Sequence, residues 1–440
     1  MTYEEAIQQL NALTPELHVK EGEPRRKFSL DEVRLLLAAL GDPHRRFRSV
    51  LIAGTNGKGS AAATLASILS VSGLKTGLYT SPHLERPNER IKIRREEIGN
   101  DDFARLFTQV VDTAQRLVAE GKLEHAPSFF ETLTAMAFLY YAEAGVDFAV
   151  LEVGMGGRLD ATNVVDPLLS IITDISLDHT EWLGSTLAEI AGEKAGVLRA
   201  GGTLIKLPQN AEVDQALDEK VRELNAVVMA ASVYLPKQTP EGPFPVELFG
   251  LTTKIGTPLD GEHQHRNVAL AVAAAVELAS RHGLPITNTT IQSGVRWTYW
   301  PARFEKLAAF HVEWILDVAH NPAGVRALLD RLMKQGRRER TPRVLLFSCL
   351  ADKPLMEMAK ILFPFFEFIV FAPISNPRAA KIEDLERAAL ELQIPYVSAK
   401  SIGEAVRLAG ERAVYGPVVA AGSVYLVGAV RPILVSEQLP

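Results

Sequence analysis

The sequence predicts an α/β protein: a doubly wound, mostly parallel sheet with a second, smaller α/β domain behind it. Three observations lead there. Apolar runs such as Asp147–Val153 and Leu168–Ile175 alternate with segments of helical period, and their unbroken apolar centres suit strands covered on both faces. One such run, Phe47–Ala53, leads straight into the glycine-rich stretch Gly54-Thr55-Asn56-Gly57-Lys58-Gly59-Ser60 and then into a helix. The alternation restarts after Val295–Pro301, where tryptophans and a proline interrupt the helical period. Residues 1–296 and 297–440 are therefore expected to be separate domains, and a length of 440 residues is itself too great for one ordinary core.

In order, Tyr3–Leu13 and a stretch from the Ser29 cap to Leu40 read as helices. Behind the glycine loop, Ala61, Ala62, Leu65, Ile68 and Leu69 recur at helical spacing up to Gly73. Lys75–Tyr79 is a strand, Asp101–Glu120 and Phe129–Ala144 are amphipathic helices, and Asp147–Val153 and Leu168–Ile175 are the buried strands. A helix within Ser185–Leu198, strand Thr203–Lys206, helix Glu212–Leu224 and strand Ala226–Ala230 follow. Pro236–Pro258 reads as a peripheral hairpin and Arg266–His282 as a long alanine-rich helix. The second domain alternates through Trp314–Val318, Ala323–Lys334, Val344–Ser348, Leu355–Leu362, Glu367–Ala372, Ile382–Leu392, Ile402–Ala413 and Val418–Ala421.

Composition narrows the function. Hydrophobic residues at 47% and charged residues at 23% are those of a globular protein, and a net charge of −6 offers no footprint for nucleic acid. The single cysteine excludes an internal disulfide framework. The acidic start Met-Thr-Tyr-Glu-Glu is unlike a signal peptide, and no apolar run reaches the length of a membrane span. A monomer working on small molecules in the cytoplasm is the expectation.

The glycine loop is a phosphate cradle: glycines let backbone N–H groups turn inward, the helix N-terminus adds partial positive charge, and Lys58 adds a full one. It differs from the common phosphate loop, since only two residues separate Gly54 and Gly57, and Gly59 intervenes between Lys58 and Ser60. Three further candidate stretches fall just beyond strand ends: Thr80–His83, Glu152 with Gly154–Asn163, and Asp178-His179. Ligands in open α/β sheets bind at that edge, so the four can converge. A carboxylate ending a buried strand needs a partner, and Glu152 has two readings, an ion pair with Arg158 or a metal site. With Ser81 and His179 it would leave a magnesium ion room for phosphate oxygens and water, although imidazole is an unusual ligand for that ion.

Several segments resemble the signature segments of the folylpolyglutamate synthase and dihydrofolate synthase family of the Mur ligase superfamily. They are the loop Gly54–Ser60, Thr80-Ser81-Pro82-His83, Leu151–Asn163, Asp178-His179-Thr180, Glu193-Lys194-Ala195-Gly196, His263–Asn267, Asp317–Pro322 and Gly422–Gly428. The resemblance spans nearly the whole chain. It implies a P-loop ATP-binding domain with a Rossmann-like second domain, and an ATP-dependent ligase that adds L-glutamate to dihydropteroate, folate or both through an acyl phosphate. It assigns Gly54, Thr55, Asn56, Gly57, Lys58, Gly59, Ser60, Gln264, Asn267, Arg303 and Asp317 to ATP, and Ser81, Glu152 and His179 to Mg²⁺. It makes Lys194 a carbamylated, CO₂-derived ligand of a second Mg²⁺, which requires an amine kept neutral by burial or nearby positive charge. Asp160 is implied for the pterin, and His320 and Ser423 for the incoming glutamate; Lys58, Lys194 and His320 form the implied catalytic set. Without the resemblance, Lys194 reads as a plain surface lysine and Arg303 equally as an ion-pair partner of Glu305. Ala302 and Val318 stand where the family usually has glycine, and Pro354 where it often has aspartate. A Mur-type cell-wall ligase and a P-loop kinase or NTPase are the alternatives.

Overall fold

The computed structural model describes residues 1–13, 29–238, 240, 242–336, 344–413 and 416–437. The chain forms two compact units. One comprises Met1–Pro82, Pro87–Pro258 and His265–Tyr299; the other comprises His83–Arg86, Leu259–Gln264 and Trp300–Pro440.

The first unit is built on strands β1 (Arg48–Ala53), β2 (Thr76–Tyr79), β3 (Ile91–Ile93), β4 (Glu96–Glu97), β5 (Phe148–Glu152), β6 (Leu169–Ile172), β7 (Thr203–Lys206) and β8 (Val227–Ala230). They lie in the order β4-β3-β2-β5-β1-β6-β7-β8. Every neighbour from β2 to β8 is parallel, while β3 and β4 are antiparallel additions at one edge. From β1 the chain passes to one side through β2, β3 and β4, returns to insert β5 between β2 and β1, and then builds the other side through β6, β7 and β8. The winding direction thus reverses at β1, which is the topological switch point of a doubly wound sheet. Five of the six β1 residues are buried. The Lys58–Val71 helix packs there with Leu65, Ile68 and Leu69 at 0% exposure, each worth about 1.5–3 kcal/mol of burial. The Asn288–Arg296 helix crosses it at Gly294, where a Cβ would stand 2.4 Å from the Ile68 Cα; only glycine admits that approach. A separate hairpin pairs β9 (Phe244–Leu248) with β10 (Leu251–Ile255).

The second unit carries β11 (Glu305–Ala309), β12 (Val312–Leu316), β13 (Val344–Phe347), β14 (Phe368–Phe371), β15 (Tyr396–Ser398) and β16 (Val418–Ala421). Their order is β11-β12-β16-β13-β14-β15, parallel except for β11. The four central strands are apolar and almost wholly buried, as the sequence pattern requires.

Among the described residues several elements escape the sequence reading, including the Asn288–Arg296 helix and the four-residue helix Thr180–Leu183. β3, β4 and β15 are two or three residues long at sheet edges, too short for a period-two signal. β11 alternates exposed and half-buried residues without an apolar centre. The Val424–Ser436 helix contains Pro432, which argues against a helix on propensity alone. The long alanine-rich helix also begins at Glu262, four residues ahead of the expected Arg266.

Candidate active site

The loop after β1 is shaped by two glycines with left-handed backbone. Gly54 has φ +151°, and a Cβ there would fall 1.8 Å from the Thr173 Oγ1. Gly57 has φ +88°, and a Cβ there would fall 2.1 Å from the Asn267 Oδ1, so the Asn267 amide packs directly on the loop. The Thr55 and Asn56 N–H groups both donate to the Asp174 carbonyl at 3.0 and 3.1 Å. Thr55 Oγ1 donates to the Ser176 carbonyl, and the Asn56 amide to Ser176 Oγ. Gly57 begins the Lys58–Val71 helix without a side-chain cap, so the first-turn amides of Lys58, Gly59 and Ser60 have no capping oxygen. Lys58 Nζ folds back on the Gly54 and Thr55 carbonyls at 3.2 and 3.3 Å. Ser60 Oγ is buried and has no hydrogen-bond partner. Uncapped amides, a lysine and an orphaned hydroxyl make an anion site.

One strand away, Glu152 ends β5 opposite Ile52 and is 4% exposed. Its carboxylate accepts the Ser81 N–H at 3.1 Å, which brings the Thr80–His83 turn onto the same edge. Arg158, the ion-pair partner weighed from sequence, is bonded to Glu193 instead, at 2.9 Å. His179 caps a four-residue helix with φ +50°, and its N–H is held by Asp178 Oδ1. Among the described residues no three side chains of the His, Cys, Asp and Glu types gather as a metal group. A buried carboxylate that accepts the amide of a serine is nonetheless an oxygen donor set of the kind a hard cation takes.

Lys194 is not a surface lysine. It lies in the last turn of the Leu187–Ala195 helix with 4% of its area exposed. Burial first, and then the charge of Lys58, pull its amine down to about 7, against the opposing pull of Asp178 and Asp160. Lys58 of the phosphate loop is thus close enough for its charge to act on Lys194. Next to it is a cleft of about 120 Å³ lined by Met155, Gly156, Arg158, Asp160, Trp182 and Glu193, among others. Asp160 uses its carboxylate on its own turn, accepting the Met155 and Thr162 amides and the Thr162 hydroxyl. Burial pushes that carboxyl above its ordinary range.

The second unit carries Gln264, Arg303, Asp317, His320 and Ser423. Asp317 follows β12, and its carboxylate accepts the Phe304 and Ala319 amides at 2.9 Å each; burial raises its pKa against the lowering charges of Arg303 and His263. Arg303 sits between two left-handed residues, Ala302 at φ +58° and Phe304 at φ +54°. That explains a glycine preference at 302, where alanine costs about 1–2 kcal/mol of backbone strain. Val318 is not left-handed and carries no such strain. Pro354 stands at a helix N-cap and supplies no capping side chain. Glu305, weighed as the partner of Arg303, is gripped at two points by Arg431. His320 Nδ1 lies 2.9 Å from the Val318 carbonyl and so carries the proton, leaving Nε2 as the acceptor in the neutral ring. Ser423 caps the Val424–Ser436 helix, and the Gly422 amide bonds to the Ala319 carbonyl, which sets Ser423 beside the Val318–His320 turn. Sequence reasoning passed over Lys353. Its side chain is 5% exposed, 3.8 Å from Asp352, and lies just beyond β13. A lysine following an aspartate gives no sign of such burial.

Two family models cover most of the chain: the Mur ligase middle domain over residues 52–275 and the Mur ligase, glutamate ligase domain, over 302–424. The chain is 34% identical to the folylpolyglutamate synthase of Lacticaseibacillus casei across 100% of both sequences. This chain belongs to the folylpolyglutamate synthase and dihydrofolate synthase family of Mur ligases. It is also 36% identical to the dihydrofolate synthase/folylpolyglutamate synthase of Bacillus subtilis over 82% of this chain and 84% of that one. The Mycobacterium tuberculosis folylpolyglutamate synthase, solved with ADP and AMPPCP, superposes with a TM-score of 0.87 at 32% identity, covering 98% of each chain. The protein is therefore an ATP-dependent acid–amino-acid ligase. Among the described residues, no helix is long and apolar enough to cross a membrane.

Proposed function

We propose that this ligase joins the amine of L-glutamate to a carboxyl group of dihydropteroate, of folate, or of both. The substrate carboxylate attacks the γ-phosphorus of ATP, giving an acyl phosphate and ADP. The glutamate amine then attacks the acyl carbon, forming the amide, releasing phosphate and losing a proton. The uncapped amides of Lys58, Gly59 and Ser60 and the Lys58 ammonium hold the phosphates and offset charge on the transferring group. Gly54, Thr55, Asn56 and Gly57 shape that loop; Asn267, Gln264, Arg303 and Asp317 serve the rest of the nucleotide. Ser81, Glu152 and His179 would hold a magnesium ion, and a carbamate on Lys194 a second, supplying positive charge against phosphate oxygens. The buried, charge-depressed Lys194 amine suits CO₂, which adds only to a neutral amine. The cleft at Asp160 and Trp182 takes the pterin, with Asp160 shaping its wall and Trp182 offering an aromatic face. Residues 297–440 act as the glutamate-ligase domain: Lys353 provides a cation for a glutamate carboxylate, Ser423 lies alongside the Val318–His320 turn, and His320, whose Nδ1 is turned to the Val318 carbonyl, receives the proton of the attacking amine through Nε2. The enzyme works as a monomer in the cytoplasm.

The observation that carries this reading is convergence. An anion cradle, a buried carboxylate and a cleft with an aromatic wall meet at the carboxyl edge of one sheet, around the strand where its winding reverses. The deciding assay measures phosphate release with ATP and glutamate, offering dihydropteroate and tetrahydrofolate separately. Release that requires both glutamate and one of these acids, with an amide product, is expected. Release independent of glutamate, or a phosphorylated end product, would instead point to a kinase or NTPase.

A further inference from the structure

We infer that Arg266 is a positioning residue for nucleotide phosphate, acting through Asp174 on the backbone of the phosphate loop. The backbone amides of the Thr55-Asn56 turn share one acceptor, the Asp174 carbonyl, while their side chains bond to Ser176. That carbonyl belongs to residues 173–176, which lie in neither helix nor strand, with the Thr173 N–H anchored to the Ala53 carbonyl at 2.9 Å. Side chains add to that anchor. Gln209 bridges the stretch by accepting the Ile175 N–H at 2.7 Å and donating to the Thr173 carbonyl at 3.2 Å. Arg266 takes the Asp174 carboxylate at two points, Nε to Oδ2 at 2.9 Å and Nη2 to Oδ1 at 2.6 Å. Nη2 also donates to the Pro208 carbonyl at 3.0 Å.

An ordinary surface ion pair would matter little. This one differs in three respects. The contact is bidentate, the planar fork fixes direction as well as distance, and its side chains are only 27% and 37% exposed. Its place in the fold sets it apart as well. Arg266 precedes Asn267 on the Glu262–His282 helix, and Asn267 packs on Gly57. One helix thus meets the loop twice, directly through Asn267 and at one remove through Arg266 and Asp174. Loss of the grip frees the Asp174 carbonyl, and part of the nucleotide's binding energy must then go into ordering Thr55-Asn56. ATP affinity falls, whereas the step after binding keeps its groups. The inference rests on reading Gly54–Ser60 as the ATP phosphate site.

The test uses the full-length enzyme and the variants Arg266→Gln, Arg266→Lys, Asp174→Asn, the Arg266→Gln/Asp174→Asn pair and Lys58→Ala. KM for ATP, KM for glutamate, kcat at saturating ATP and melting temperature are measured for each, with ATP binding followed by calorimetry. Arg266→Gln and Asp174→Asn should each raise KM for ATP about five- to tenfold, as loss of a charge-assisted pair predicts, with kcat and KM for glutamate within about twofold. The pair should be no worse than either alone, and Arg266→Lys should recover part of the loss. If Arg266→Gln fails to fold, Arg266→Lys and Asp174→Asn decide. Unchanged KM for ATP in Asp174→Asn and the folded Arg266 variants overturns the proposal, as does a fall in melting temperature with all kinetic parameters shifted alike. If Lys58→Ala also binds ATP normally, it is the phosphate-loop reading that fails. If Lys58→Ala abolishes binding while the Arg266 and Asp174 variants are neutral, only the role of Arg266 fails.

Discussion

A lysine that is 4% exposed has to be explained by what it gains in return for losing water. Among the described residues Lys194 makes no ion pair; it has the positive charge of Lys58 nearby and an amine drawn down to about 7. Such an amine is half neutral near pH 7, where an exposed lysine would be almost wholly protonated. Protonation competes with CO₂ for the same lone pair, so the sign of the pH effect is fixed. Below about 7 the ammonium predominates and carbamate should be lost; above it the neutral amine predominates and carbamate should form. With ¹³C-labelled bicarbonate, a carbamate resonance should therefore grow between pH 6 and pH 8 and be missing from Lys194→Ala. A spectrum without that resonance at pH 8 would remove the modification from the mechanism. Lys194→Ala should also lose most ligase activity, with acetate as a candidate for partial rescue.

At the scale of elements, the strand–loop–helix of residues 48–71 does two jobs at once, filling the core and presenting amides. Gly57 shows how little room this leaves. Its φ of +88° and the 2.1 Å approach of the Asn267 Oδ1 forbid a Cβ twice over. Gly57→Ala should thus raise KM for ATP by at least tenfold, because the loop must distort or Asn267 must move, an effect of about 1.4 kcal/mol or more. Wild-type ATP kinetics in that variant would show that the loop accommodates both. This stretch was legible in the sequence because its β-branched run, its glycines and its helical period are all local. The same holds for β5, β6, β12 and β16. Edge strands such as β3 and β15 were not, since they owe their conformation to neighbours rather than to their own pattern. In the site, residue types could be read and partners could not. Arg158 turns to Glu193 and not to Glu152, Glu305 to Arg431 and not to Arg303, and Arg266 to Asp174 across 92 positions of chain. The burial of Lys194 and Lys353 is likewise a product of packing, because each directly follows an acidic residue and neither lies within an apolar run.

At the scale of the whole molecule there are two compact units, each with its own sheet. The loop, Glu152, Lys194 and the Asp160 cleft belong to one; Asp317, His320, Lys353 and Ser423 belong to the other. A chain of this kind need not unfold in a single transition, so a melting temperature is best read as a response to ligand and not as one free energy. A ligand that binds only the folded state stabilises it by mass action, about 2.7 kcal/mol at a hundred times its Kd. Magnesium ATP should accordingly raise the melting temperature of the wild-type protein. Lys58 is half-buried and its Nζ bonds to the Gly54 and Thr55 carbonyls, so Lys58→Ala should melt near the wild-type temperature without ligand. It should then show little or no shift with magnesium ATP and little turnover. A full ligand shift in Lys58→Ala would mean that the phosphates are held elsewhere. A large drop in its ligand-free melting temperature would mean that the two hydrogen bonds to Gly54 and Thr55 hold the loop itself together, making the lysine a structural residue first.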